Sequence, residues 1–346
     1  MNRTSVPLNN LPVKIFSSVF VVMLLLEITS CTRQSVDIEK PNQRYLPKEY
    51  SVPAPQRIDY ANDDLSGAVF SRGFAQGEAV YAEFMPKEQS SVSSLELFYC
   101  GRAIPVAEKK WGYRALFCVP PEIKTGPSPL IIRYKKNRTV IEQSVMINAA
   151  DGKFKVYHSA MDLGNFSVKN AEISPETLAF IERCTEMKKK AFAEKIEDQL
   201  SSSFAHPRDM HYITSDFYSK RVVAQYKLVG KKRIPQKSTV KIHWGTDFRG
   251  AEGTPVYAVA SGTAALADLM HYEGNMIILD HGNGIFTYYM HMASIAVKPG
   301  EHVHAGQKIG TVGSTGMSTG PHLHVSFFLN GEHADPLSLL CLPVKD

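Results

Sequence analysis

Gly316-Met317-Ser318-Thr319-Gly320-Pro321-His322-Leu323-His324-Val325-Ser326-Phe327-Phe328 runs from a glycine- and serine-rich loop into His-Leu-His and then an apolar stretch. Val325, Phe327 and Phe328 favour a strand, in which successive side chains point to opposite faces. Residues two apart share a face, so His322 and His324 stand side by side. Two neighbouring imidazoles invite a shared task, and the common one is a metal ion with an activated water. A His-x-His pair alone is weak, so its weight rests on other ligands in the chain.

A second cluster is His243-Trp244-Gly245-Thr246-Asp247. A histidine and an aspartate four apart can reach one metal if Gly245 lets the backbone curl between them. With His324 they make a His2Asp set of three nitrogen and oxygen donors with an open fourth position, the pattern of a catalytic and not a structural zinc. Such donors also admit manganese or iron, but Zn2+, one per chain, is the first expectation. A third piece, Thr287-Tyr288-Tyr289-Met290-His291-Met292, sets His291 at the end of an expected strand.

The order His243-x-x-x-Asp247, then Tyr289-Met290-His291, then Thr319-Gly320-Pro321-His322-Leu323-His324 resembles the lysostaphin-type zinc metallopeptidases that cut peptidoglycan cross-bridges. Flanking segments fit the same family: Gly253-Thr254-Pro255-Val256-Tyr257-Ala258, Asp280-His281-Gly282-Asn283-Gly284 and Gly306-Gln307-Lys308-Ile309-Gly310. The likeness covers about residues 205–335. It implies His243, Asp247 and His324 as metal ligands, His322 as the general base on a water, and His291 as the residue that orients that water or steadies the oxyanion. Two departures stand out. Tyr218 occupies a position where the family usually has glycine, and residues 222–242 are longer and more basic than the family pattern. His302-Val303-His304 is a second His-x-His, but it follows Pro299-Gly300 in a turn, and His281 in its glycine turn reads as a structural hydrogen bonder.

Upstream, Val80, Ala82 and Phe84 alternate, as do Leu95, Leu97 and Tyr99, then Leu130, Ile132 and Tyr134, with glycine and proline turns between. Residues 52–150 therefore read as an immunoglobulin-like β-sandwich. Ser174-Pro175-Glu176 is a helix start, and Leu178, Ile181, Met187, Phe192, Ile196 and Leu200 follow a helical period, so a connector over 151–204 carries an amphipathic helix at 175–200. Residues 205–346, with short strands and dense glycine turns, form a largely antiparallel sheet domain, the metallopeptidase. The chain as a whole is mainly β.

At 346 residues, 44% hydrophobic and 21% charged, the composition is that of an ordinary globular protein, and a formal charge of +5 is too weak to argue for nucleic acid. Arg3 and Lys14 precede the apolar run Ile15–Leu26, shorter than the roughly 20 residues of a spanning helix and suited to a signal peptide over 1–30. Ile28-Thr29-Ser30-Cys31 is similar to a bacterial lipobox, making Cys31 the expected lipid anchor to the membrane and 31–51 a flexible tether. Export permits disulfides, and Cys100–Cys118 on neighbouring strands is the favoured bridge, with Cys184 and Cys341 left over.

The sequence thus leads to an exported zinc endopeptidase acting on peptidoglycan in cell-wall remodelling, lipid-anchored in the bacterial envelope, facing the periplasm and held at the outer membrane. The competing reading is a non-catalytic envelope regulator or scaffold that activates wall amidases. The presence of the full ligand set favours the enzyme.

Overall fold

The computed structural model describes residues 50–87, 92–162, 174–194, 196–201, 204–230, 232–235 and 238–346. The expected signal peptide, Cys31 and almost all of the expected tether lie outside the described residues.

The first nine strands are β1 (Gln56–Ala61), β2 (Leu65–Ser71), β3 (Ala79–Pro86), β4 (Val92–Tyr99), β5 (Arg102–Ile104), β6 (Val106–Lys109), β7 (Gly112–Cys118), β8 (Gly126–Lys136) and β9 (Thr139–Ala149). They form a five-stranded sheet in the order β1-β2-β3-β7-β6 and a four-stranded sheet in the order β5-β4-β8-β9. With β1 set aside as an added edge, β2-β3-β7-β6 opposite β5-β4-β8-β9 is the Greek-key order of an immunoglobulin sandwich. Val80, Ala82 and Phe84 of one sheet and Leu97, Leu130, Ile132 and Ile147 of the other share its apolar core.

Strand β3 is buried on both faces. Val80, Ala82 and Phe84 point into the sandwich, while Ala79 and Tyr81 point outward with Phe70 of β2 and Leu116 and Cys118 of β7. That outward set joins Phe248, Phe327, Leu337, Leu339 and Val344 of the C-terminal part in one continuous core. Ion pairs rim it: Arg72 bridges Glu78 and Asp335 at 2.8 Å each, and buried Arg114 binds Asp198 at 2.7 Å.

This arrangement explains why the expected Cys100–Cys118 bridge is absent. Cys118 is turned outward into the shared core, whereas Cys100 is exposed, in a left-handed turn (φ 52°) after β4 of the other sheet. Both are free thiols.

Strand β10 (Val156–Asp162) pairs in parallel with β12 (Lys220–Val229), which pairs antiparallel with β13 (Lys232–Pro235) and β14 (Thr239–Ile242). Between β10 and β12 lies α1 (Pro175–Ala193), capped by Ser174, whose hydroxyl accepts from the Thr177 N–H at 3.2 Å. The helix is shorter than the expected 175–200. Beyond it, the Gln199 N–H donates to the His281 carbonyl, Asp198 is drawn to Arg114, and Leu200 enters the shared core, so the chain runs along the sheet domain instead of coiling.

The remaining strands are β11 (Ile213–Ser215), β15 (Thr246–Arg249), β16 (Pro255–Tyr257), β17 (Gly262–Met270), β18 (Gly274–Asp280), β19 (Ile285–Ile295), β20 (His302–Val303), β21 (Lys308–Val312), β22 (His322–Leu329) and β23 (Glu332–Ala334). They form one ten-stranded sheet whose main path is β11-β15-β22-β19-β18-β17-β20, every pairing antiparallel. Helix α1 packs on it through Phe180, Cys184, Met187 and Ala191 against Leu266, Ile278, Phe286 and Tyr288.

Candidate metal centre

Strands β15 and β22 pair with Asp247 opposite His324 and Arg249 opposite His322. Backbone pairing alone thus brings the aspartate and both histidines of His-Leu-His to one patch. His243 precedes β15, and its backbone is clamped on both sides: its N–H donates to the Ser219 carbonyl at 3.0 Å, and its carbonyl accepts from the Tyr218 N–H at 2.7 Å. Tyr218, in the position where glycine was expected, has φ 56°, which is the conformation glycine adopts freely. The tyrosine is held there by burial and by a 2.6 Å hydrogen bond to Glu122 of the sandwich.

Gly245 serves close approach and not backbone curling. A Cβ there would come within 2.5 Å of His324 Nε2 and of the Val325 carbonyl. Only glycine lets His243 and His324 come together.

Three donor atoms converge. His243 Nε2 lies 3.0 Å from Asp247 Oδ1 and 3.1 Å from His324 Nδ1, and His324 Nδ1 lies 2.8 Å from Asp247 Oδ1. The outer nitrogens fix the tautomers. His243 Nδ1 is 3.0 Å from the Asp216 carbonyl, which can only accept. The Ser326 hydroxyl donates to the Trp244 carbonyl at 3.0 Å, so it accepts from His324 Nε2 at 2.8 Å. Each neutral ring therefore turns a lone pair inward, and two lone pairs and a carboxylate face one another. A cation resolves that arrangement, and the donor set suits zinc. Among the described residues, this is the one group of three or more such side chains close enough to share a metal ion. His302 and His304 lie outside it, with ring centroids 5.2 Å apart.

Were the inward nitrogens protonated instead, burial alone would raise the Asp247 carboxyl, but hydrogen bonds from His243 and His324 and their charge would hold it well below the usual carboxylate range, so protons and a cation compete for the same place. Burial pushes His324 down, and it pushes His291 down to about 4.

His322 sits beside the three. Its Nδ1 is 2.8 Å from the Gly320 carbonyl, which makes that nitrogen the donor and leaves Nε2 with its lone pair. Nε2 is 3.8 Å from Asp247 Oδ1, too far for a hydrogen bond and open to one from a water. His291 is a non-glycine residue at φ 62°, where the β18–β19 ladder shifts register between Asn275 and Ile277. This bulge turns its ring to within 4.8 Å of the His322 ring, and its Nδ1 is 3.0 Å from the Thr315 carbonyl. His281, by contrast, is fully buried between the Ser261 carbonyl (2.7 Å) and Thr287 Oγ1 (2.9 Å), as its structural reading required.

All five sequence-derived residues meet in one place. Sequence reasoning passed over Ser326, although it stands two positions after His324 on the same face of β22. Phe328, two further on, shares that face and touches Phe192 of α1 at 6.0 Å between ring centroids. One end of the histidine-bearing face is therefore covered by the helix.

The antiparallel sheet that carries this donor set on adjacent strands is the part of the chain that the sequence model of peptidase family M23 matches, over residues 241–336. Among curated proteins, the peptidoglycan DD-endopeptidase ShyC of Vibrio cholerae is 36% identical over 130 residues, 38% of this chain and 28% of that protein. Lysostaphin of Staphylococcus staphylolyticus is 45% identical over 105 residues, 29% of this chain and 22% of that protein. The chain thus spans under a third of the length of either. A crystal structure assigned to peptidase M23 from Pseudomonas aeruginosa aligns with a TM-score of 0.49 and 23% identity over 78% of this chain and 96% of that one.

Proposed function

We propose that this chain is a zinc-dependent endopeptidase that hydrolyses amide bonds in peptidoglycan stem peptides or cross-links. The carrying observation is the inward-facing lone-pair set of His243, Asp247 and His324, with the unprotonated Nε2 of His322 beside it. The names of the relatives supply the substrate class.

His243, Asp247 and His324 would hold one Zn2+, which supplies a polarised water at neutral pH and a Lewis acid for the scissile carbonyl. His322 Nε2 takes the proton from the attacking water, and the Gly320 carbonyl steadies the imidazolium through Nδ1–H. The proton then passes to the leaving amine. His291 is kept neutral by burial, with Nδ1 committed to Thr315, so its Nε2 accepts a hydrogen bond and orients that water. No side chain here makes a covalent bond to the substrate.

The same proposal includes export and lipid attachment at Cys31, with the enzyme facing the periplasm from the outer membrane. That part is supported by the Ile15–Leu26 run and the Ile28–Cys31 box alone. Replacement of Cys31 by serine should move the protein from the membrane to the soluble fraction.

The decisive test combines metal analysis with digestion of purified sacculi, on protein starting after Cys31. Wild type should carry one zinc and release soluble fragments, and His243→Ala should lose both. His322→Ala should keep zinc and lose digestion by roughly 10²–10⁴-fold. Undiminished digestion by His322→Ala would overturn the mechanism. Sacculus binding with neither zinc nor cleavage would favour the amidase-regulator reading.

A further inference from the structure

The sheet of β10, β12, β13 and β14 stands apart from the rest of the molecule. None of its described side chains belongs to the three apolar cores. Val156, Tyr157, Val229 and Val240 are about half exposed or more, at 48%, 48%, 67% and 56%. Exposed apolar side chains on a sheet mark it as a contact surface.

Its charge says what kind. Residues 220–242 contain eight Lys or Arg and no Asp or Glu, against a net charge of +5 for the whole chain. In the sequence of the four strands the one carboxylate is Asp162, at the end of β10. The register sets Arg221 directly opposite Lys241, which places two like charges side by side on adjacent strands. Two cations of the arm lie over aromatic rings: Arg233 is 4.7 Å from the Tyr226 centroid, and Lys220 is 5.0 Å from that of Tyr218. The nearby Asp216 is taken by Lys155 at 2.5 Å.

The position says where the partner comes from. Lys220 pairs with Ile242, the residue before His243, so the arm grows directly out of the metal centre. Ten residues of β12 reach about 30 Å from it. A polymer cut at the centre continues beyond the scissile bond, and along this arm it meets successive cations.

We propose that this four-stranded arm is a binding rail for a carboxylate-bearing polymer, namely the free carboxylates of peptidoglycan stem peptides on either side of the bond being cut. The proposal deepens the endopeptidase reading and rests on it for the identity of the polymer.

The test separates binding from cleavage. Protein starting after Cys31 is sedimented with intact sacculi in EDTA, which stops cleavage, at 50 mM and 300 mM NaCl. The comparison is the triple variant Arg221→Gln, Lys232→Gln, Arg233→Gln, and a second variant with Arg221→Lys and Arg233→Lys. Charge removal should weaken sacculus binding about tenfold at low salt and flatten its salt dependence, while the lysine variant binds as wild type. Sacculi whose carboxylates have been amidated should hold wild type no better than they hold the triple variant. Thermal unfolding confirms that the triple variant is folded.

Equal sedimentation of wild type and triple variant, or unchanged binding after amidation, would overturn the rail. So would tighter binding to vesicles containing phosphatidylglycerol than to sacculi, which would make the arm a lipid-surface contact. Failure of the endopeptidase reading shows up separately, as no fragments released by the zinc-loaded protein, and leaves the sedimentation result readable.

Discussion

At the scale of single residues, the centre depends on groups that never touch a substrate. Ser326 is buried, accepts from His324 Nε2 and donates to the Trp244 carbonyl, so it decides which His324 nitrogen faces inward. Ser326→Ala should lower zinc affinity by about 10- to 100-fold with the fold intact, read by metal retention against a competing chelator. Asp280 and His281 form a second pair of interest, because burial moves them in opposite senses. The Asp280 carboxyl is pushed up to about 6, despite a hydrogen bond from the Gly282 N–H, with Glu194 adding to the rise, and His281 is pushed down to about 4. A raised aspartate binds its proton more tightly when folded, so its contribution to stability grows as pH falls from about 6 towards 4. A lowered histidine does the reverse, and its contribution fades as pH falls from 6.5 towards 4. Asp280→Asn removes only the first effect. Its loss of stability between pH 7 and pH 4 should therefore exceed that of wild type by about 2 kcal/mol at most, measured by denaturant unfolding at each pH. The convergence of His243, Asp247 and His324 was legible in the sequence because strand alternation and a four-residue spacing constrain where their donors can point. Ser326 was not, because a serine in an apolar strand carries no signal until the histidine beside it is known to need an acceptor.

Elements were legible in proportion to how much their own sequence decides them. The sandwich strands and the glycine-punctuated sheet follow from alternation and turns. The helix start at Ser174-Pro175 was clear, but its end was not. Cys184 and Ala191 are the buried residues of α1, and Met187 and Phe192 of the apolar period pack on the sheet beside them, but Leu178 is left 44% exposed, so the period that promised a stop at Leu200 only partly coincides with the face that packs. Asp198 and Leu200 answer to Arg114 and the shared core, which are remote in sequence. The disulfide failed for a similar reason, since alternation within β7 sends Cys118 to a face whose partner is another part of the chain. Where β15 meets β22 the constraint is steric. Gly245→Ala would press a methyl into the His324 ring and the Val325 carbonyl, and it should cost about 1–3 kcal/mol and release bound zinc. Thermal unfolding with parallel metal analysis reads both. A stable, fully zinc-loaded Gly245→Ala protein would show that the strands can part there without loss.

Across the whole molecule, the sequence divides more sharply than the packing does. Sandwich and peptidase sheet each have an internal core, yet the largest apolar cluster draws on both, with Arg72, Glu78 and Asp335 sealing one side and Arg114 and Asp198 another. A boundary placed by composition alone cannot see this, because β3 and β7 look like ordinary sandwich strands until a second apolar layer is found against their outer face. The strand that serves two cores has a consequence in time as well as in space. Amides of β3 between Val80 and Phe84 lie in the ladders to β2 and β7, and exposing them to solvent means separating the sandwich and lifting the peptidase sheet away together. Deuterium should therefore reach them only through global opening, at the slowest rate in the protein. Earlier labelling of these amides than of β18 and β19 would mean that the two halves part before either one melts.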